Sequence, residues 1–260
     1  MREDTEIMRS VQRIVAVFES FSRNKTSLRL QDIADRIQLP KSTAYRILRS
    51  LELAGYLVRL DDQRYCLSFR FTRLSGLVQS TLDIRTISRS VMVTLGEKTK
   101  ETVALYTTHG RDRVCIDSIA SGSSPLRLVL QPGEHIPLQL GSASKTLLAH
   151  ISTAELAPIL PSVIRATRRT QEQLRAEFAQ IRKQGYAVSH GERLVGLSAI
   201  SAPIWDANEE ARYCLTISGP SVRVQKQEPE FVKLVMKAAA EISRQSGSNV
   251  NALIDSETTP

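Results

Sequence analysis

Six side chains able to hold a polyanion stand together at Lys41, Ser42, Thr43, Tyr45, Arg46 and Arg49. A lysine ammonium neutralises phosphate, hydroxyls bond phosphate or base edges, and an arginine fork fits guanine O6 and N7. Ser42, Tyr45, Arg46 and Arg49 recur at i, i+3, i+4, i+7, which places them on one helix face, with Lys41 and Thr43 at its N-terminal end. Ala44, Ile47, Leu48 and Leu51 fall on the opposite face. A solvated face in an ordinary three-helix core has the same pattern, so the flanking elements must decide between the two readings.

Val11, Ile14, Val15 and Phe18 have helical spacing. Leu30–Ile37 reads as a second helix, with Leu30, Ile33, Ala34 and Ile37 on one side. Gln38-Leu39-Pro40 breaks it, Pro40 fits the first position of the next helix, and Gly55 stops that helix after about Ala54. Tyr56–Arg59 and Arg64–Leu67 then read as short strands around Asp61-Asp62-Gln63. A short helix, a tight turn, a basic helix and a hairpin describe a winged helix-turn-helix, whose second helix enters the major groove of double-stranded DNA. Arg59 and Arg64 stand at the base of the wing. Arg29 occupies the expected N-cap of the second helix, where Ser, Thr, Asp or Asn is preferred, and its charge suits a phosphate.

The charge distribution points the same way. Residues 1–75 carry 14 Lys+Arg against 9 Asp+Glu, within a 260-residue chain of net charge +8. Cys66, Cys115 and Cys214 are odd in number and widely spaced, which indicates neither a disulfide framework nor a zinc site and suits buried thiols in a reducing cytoplasm. No apolar run is long enough to span a membrane, and the N-terminus lacks the apolar core of a signal peptide.

Beyond about residue 75 the pattern changes. Residues 68–99 read as one or two helices interrupted near Asp83. Strands follow at Thr102–Thr108, Val114–Ala120 and Leu126–Leu130, and a short helix at Ser142–Ile151. A helix over Thr170–Gln184 carries the capping box Thr170-x-x-Gln173 and a stop at Gly185. Strands at Tyr186–His190, Ser198–Trp205 and Ala211–Ser218 lead to a last helix from Pro229, with Phe231, Leu234, Val235, Ala238 and Ile242 as its buried face. The mixture argues for an α+β or α/β domain.

The chain resembles an IclR-type transcriptional regulator over nearly its whole length. The resemblance rests on Ser10-Val-Gln-Arg-Ile-Val-Ala-Val-Phe18, Asp32-Ile-Ala34, Leu39-Pro-Lys-Ser-Thr43 and Arg46-Ile-Leu-Arg-Ser-Leu-Glu-Leu-Ala-Gly-Tyr56 in the first part. In the second part it rests on Gly141-Ser-Ala-Ser-Lys-Thr-Leu-Leu-Ala149, Gly185-Tyr186, Gly191-Glu192, Gly196-Leu-Ser-Ala-Ile-Ser-Ala-Pro203 and Ile217-Ser-Gly-Pro220. It implies a winged helix-turn-helix at 1–67, a linker helix at 68–82, a GAF-like effector and oligomerisation domain at 83–247, and a flexible tail at 248–260. It further implies a homodimer or dimer of dimers, acting as repressor or activator. Effector-site positions carried over from the family fall on Leu128, Ile136, Ser142, Ala143, Ser189, Leu197, Ala199, Thr216 and Ser218.

In the strand ending at Ser218, small polar Cys214, Thr216 and Ser218 alternate with Tyr213, Leu215 and Ile217. The polar face is either solvated or the wall of a ligand cavity. Small residues at Gly141–Ser144 would let an acid approach the first-turn amides of the helix they open, unless Ser142 caps that helix itself. The family's frequent Gly-Lys-Ala run is Ser144-Lys145-Thr146 here, and the Asp or Cys of some relatives is replaced at Ser189 and Ala199, so a neutral pocket is expected. No cofactor is called for. His190 with Glu192 could be drawn as a metal pair or general base, but two ligands make no site and a surface turn explains them. Cys115 lies in an apolar strand, unsuited to a nucleophile.

The reading is a non-enzymatic, DNA-binding regulator governed by a small organic acid, with dimers on a pseudo-palindromic operator. Two rivals stay open. One is an enzyme acting on a small acid with a basic N-terminal nucleic-acid anchor, for which no convergent acid, base or nucleophile can be assembled. The other is a sequence-blind architectural protein.

Overall fold

A computed structural model describes residues 8–22, 25–74, 83–120 and 130–249. The chain divides into two units, one ending at Leu82 and one beginning at Asp83.

In the first unit α1 spans Arg9–Glu19, α2 Leu30–Arg36 and α3 Lys41–Leu53. A three-stranded antiparallel sheet is ordered β1 (Ser27–Leu28), β3 (Tyr65–Leu67), β2 (Leu57–Arg59). β1 was not foreseen; two residues are too short for a periodicity. Val17, Leu28, Ile33, Leu48, Leu51, Leu57 and Tyr65 form the core. The stripe Val11, Ile14, Val15 stays exposed, and α1 faces the core through Val17 with Phe18 half-buried.

Pro40, predicted as the first helical position, is instead the N-cap of α3, so the helix starts one residue later at Lys41. Arg29 is the N-cap of α2 and accepts nothing; instead its N–H donates to Asp32 Oδ2 at 3.1 Å, so the acid three residues on relieves the orphan donor. The α2–α3 turn closes with Leu39 N–H on Ala34 O at 3.1 Å and Gln38 at φ +53°. Gly55, at φ +77°, ends α3 the same way, with Tyr56 N–H on Leu51 O at 2.8 Å. Cys66 is half-buried rather than buried.

The second unit is built on a six-stranded antiparallel sheet, ordered β6-β5-β4-β9-β8-β7. Its strands are β4 (Thr102–His109), β5 (Asp112–Ile119), β6 (His135–Pro137), β7 (Ala187–His190), β8 (Leu197–Ile204) and β9 (Tyr213–Pro220). α4 (Ile84–Thr99) and α10 (Glu228–Gln245) cover one face, sealing Met92, Leu95, Val103, Leu105, Leu215, Ile217, Phe231 and Val235 with α9 (Ser221–Lys226) at the edge. α5 (Ser142–His150), α7 (Leu160–Thr167) and α8 (Gln171–Gln184) cover the other, following the single turn α6 (Thr153–Leu156). β6, α6, α7 and α9 were not foreseen.

The predicted interruption at Asp83 is an N-cap, its carboxylate accepting Thr86 N–H at 2.7 Å. That contact and burial-opposing bonds hold its pKa below the ordinary carboxylate value, with the Thr86 amide the largest cause. The capping box Thr170/Gln173 and the left-handed Gly185 bound α8 as predicted. Ser248 is buried and its N–H meets Ser243 O at 3.0 Å, so packing continues past α10. The predicted strand at Leu126–Leu130 falls largely outside the described residues, as do Leu128 and most of the 68–82 linker.

Candidate functional sites: a nucleic-acid interface and a ligand cavity

Ala44, Leu48 and Leu51 anchor α3 in the core, which turns Lys41, Ser42, Tyr45, Arg46 and Arg49 outward and leaves Thr43 half-exposed. Among the described residues, Arg29, Lys41 and Arg46 hold no ion pair, so their charge is available to a polyanion. Arg49 donates to Glu52 at 2.9 Å. Arg64 meets Asp62 at 3.2 Å in the wing turn, and Arg59 bonds Gln63 while lying 5.8 Å from the Tyr65 ring centroid. Thr43 and Arg46 border a groove shared with Ser10, Arg13 and Ile14 of α1. Arg13 is an exposed cation that periodicity alone did not single out, because its helix was read for its apolar side.

The second site is a small cavity of about 30 Å³ between the sheet and the start of α5. Ligand pockets run ~300–1,000 Å³, so an acid bound here has to widen the cavity. Ser142, Ala143, Ser189, Leu197, Ala199, Thr216 and Ser218 all line it. Ile136 does not: it is buried in the core beneath α5, opposite Arg113 in the β5–β6 pair. The polar face of β9 is therefore neither solvated nor idle. Thr216 and Ser218 are both buried.

The floor is a chain of hydroxyls. Ser142 Oγ lies 2.7 Å from Ser201 Oγ, which lies 2.8 Å from Thr216 Oγ1. Ser142 is thus the first residue of α5 and bonds across to β8 rather than capping its own helix. Ser201 was missed because it sits among apolar neighbours of β8. Ser218 Oγ is buried without a partner.

The walls overturn the expectation of a neutral pocket. Tyr106, Arg113 and Arg193 line the cavity as well. Arg113 is 3% exposed. It donates to Leu140 O at 3.0 Å and to Ser144 Oγ, and its guanidinium lies 5.2 Å from the Tyr106 ring centroid. Its Nε is buried without a partner. Burial lowers its pKa, and the like charge of Arg193 pushes the same way. Burial pushes the Tyr106 hydroxyl up. A register irregularity between Leu105 and Tyr106 in the β4–β5 pair falls at the cavity wall, where such bulges re-aim side chains.

Two first-turn amides of α5 are already occupied. Gly141 N–H donates to Glu192 Oε2 at 3.2 Å and Ser142 N–H to Ser189 Oγ at 3.0 Å. Gly141 sits at φ +93° beside Arg113 and Ser189, which favours glycine there. Glu192 also pairs with Lys145, which meets Glu177 at 3.1 Å. His190 turns away from Glu192, its ring nitrogens 2.9 Å from Ser198 Oγ and 3.1 Å from Glu228. Burial raises the Cys115 thiol to about 11 and Cys214 to about 12, so both are protonated at neutral pH.

Comparison with known proteins decides the family. Residues 10–61 match the IclR helix-turn-helix domain, and residues 77–244 match the bacterial transcriptional regulator IclR C-terminal domain. The chain belongs to the IclR family. It is 27% identical to the HTH-type transcriptional regulator XynR of Escherichia coli over 248 residues, covering 93% of this chain and 98% of XynR. Its fold matches the crystal structure of Pseudomonas aeruginosa HmgR with a TM-score of 0.74 at 20% identity, over 93% of this chain and 99% of that one. An IclR homologue from Microbacterium hydrocarbonoxydans, solved in complex with 4-hydroxybenzoate, matches with a TM-score of 0.55 at 20% identity, over 90% and 98% of the two chains. As an IclR regulator the chain carries a DNA-binding helix-turn-helix unit and a C-terminal ligand-binding domain. Among the described residues no helix is long and apolar enough to cross a membrane.

Proposed function

We propose that this IclR regulator reads a pseudo-palindromic operator with α3 and that a small organic acid in the C-terminal cavity controls its operator affinity. Arg46 and Arg49 reach base edges; Lys41, Ser42, Thr43 and Tyr45 bond phosphate or base edges; Arg29 and Arg64 touch the backbone beside them. The observation that carries this reading is the outward cationic face of α3, where Lys41 and Arg46 hold no ion pair among the described residues. The protein works as a homodimer or dimer of dimers in the cytoplasm, with the winged helix-turn-helix at 1–67, a linker at 68–82, the effector domain at 83–247 and a tail at 248–260. Paired reading helices fit half-sites about 34 Å apart or a multiple of that, one turn of B-form DNA.

The effector binds at Ser142, Ala143, Ser189, Leu197, Ala199, Thr216 and Ser218, with Leu128 and Ile136 carried over from the family as neighbours. The bound 4-hydroxybenzoate of the Microbacterium homologue favours an acid, as does the cationic wall here. The role is regulatory rather than enzymatic: the buried thiols are protonated, and His190 and Glu192 do not converge. A thermal-shift screen of small carboxylates tests the reading, because a ligand that binds only the folded state raises Tm. An acid that raises Tm should also change affinity for operator DNA. Turnover of that acid by pure protein would instead favour an enzyme.

A further inference from the structure

The helix N-terminus at Gly141–Ser144 is the obvious place for a carboxylate, but two of its amides are already taken by Ser189 and Glu192. The unmet polar demand lies elsewhere in the cavity. Arg113 is buried, takes part in no ion pair among the described residues, and keeps Nε without a partner. Arg193, the second cation of the wall, has Glu134 no nearer than 3.8 Å. In the same lining, Ser218 Oγ is buried and unpartnered, whereas Thr216 is held by Ser201. A buried guanidinium without a counter-ion is costly, and a cavity that keeps one is short of an anion.

We propose that Arg113 and Arg193 form the anion clamp of this cavity, and that its ligand is a hydroxy acid whose carboxylate lies against the two guanidiniums while its hydroxyl meets Ser218. The proposal rests on the cavity being the effector site, and it names the chemical class and the residues that select it. Arginine suits the task because its planar fork presents parallel donors to a carboxylate, which a lysine ammonium cannot reproduce. Arg113 is stacked on Tyr106 and tied to Leu140 and Ser144, so the fork is ordered before the ligand arrives.

The test uses the full chain with three probes, glycolate, lactate and 3-hydroxybenzoate, each beside its neutral primary amide. Calorimetry and thermal shift are measured on wild type, Arg113→Lys and Arg193→Gln. At least one acid should bind wild type, and its amide should bind at least tenfold more weakly. Arg113→Lys and Arg193→Gln should each weaken that acid tenfold or more while the acid-to-amide preference collapses. Arg193 is partly exposed, so its variant reports on binding even if the Arg113 variant unfolds. Equal binding of an acid to wild type and to folded Arg193→Gln would overturn the clamp and leave the effector cavity standing. Equal binding of acid and amide to wild type would do the same. Failure of every acid at millimolar concentration would overturn both the clamp and the small-acid reading.

Discussion

Arg49 donates to Glu52 at 2.9 Å on the outward face of α3, so one of the cations expected to face DNA is held by an acid of its own helix. The carboxylate raises the guanidinium's pKa, chiefly through that hydrogen bond, and so keeps it charged. To reach a base or phosphate, Arg49 must let go. Glu52→Gln should therefore tighten DNA binding by about two- to fivefold, since it removes both a competitor and a negative charge beside the polyanion. Fluorescence anisotropy at fixed salt checks this; weaker binding would mean that Glu52 orients Arg49 productively.

Arg46 and Lys41 should separate base reading from phosphate contact. Arg46→Ala is expected to cost on the order of 1–3 kcal/mol on operator and to relax base preference. Lys41→Ala should weaken operator and random duplexes alike and lower the salt slope by about one. Equal losses on both DNAs for Arg46→Ala would remove it from the base-reading set.

Ser218→Ala removes a buried hydroxyl that bonds no other group of the described protein. Leaving such a group unmet costs about 1–3 kcal/mol, so the alanine variant should be at least as stable as wild type by urea denaturation. If the hydroxyl serves the ligand, acid affinity should fall at the same time. A loss of stability would show that Ser218 supports the fold instead.

His150 gives a pH signature. Its Nδ1 lies 2.8 Å from Thr146 O, its ring stands edge-on to Trp205 at 5.3 Å, and burial holds its pKa below the ordinary 6.5. The unfolded state therefore takes up a proton before the folded state does. The corresponding stability is present above pH 6.5 and is lost as pH falls from there toward the lower folded pKa. His150→Gln should flatten that part of the stability-versus-pH curve, as followed by chemical denaturation; an unchanged slope would assign it to other groups.

What could be read from the chain follows how local the signal is. The capping box at Thr170 and the stops at Gly55 and Gly185 bring together groups a few residues apart, and they were legible. Arg113 and Arg193 meet only because β5 and the β7–β8 connection converge on one cavity. Strand alternation also hid Arg113. It shares its buried face with Cys115 and Asp117, while the more apolar Val114 and Ile116 are the less buried set. Asp117 is 1% exposed because Arg89, and more distantly Arg85, reach it from α4. Hydropathy cannot rank faces when ion pairs and a cavity reverse the usual preference. β6 and α9 are short elements set by packing against the sheet, with too few residues to show a period.

The most direct test of the central claim is a footprint of the full chain on a duplex selected from a random-sequence library. Two protected half-sites of related, inverted sequence should lie about 10 base pairs apart or a multiple of that, and α3 variants should lose them. Protection spread evenly along the DNA, with no sequence enriched by selection, would contradict it.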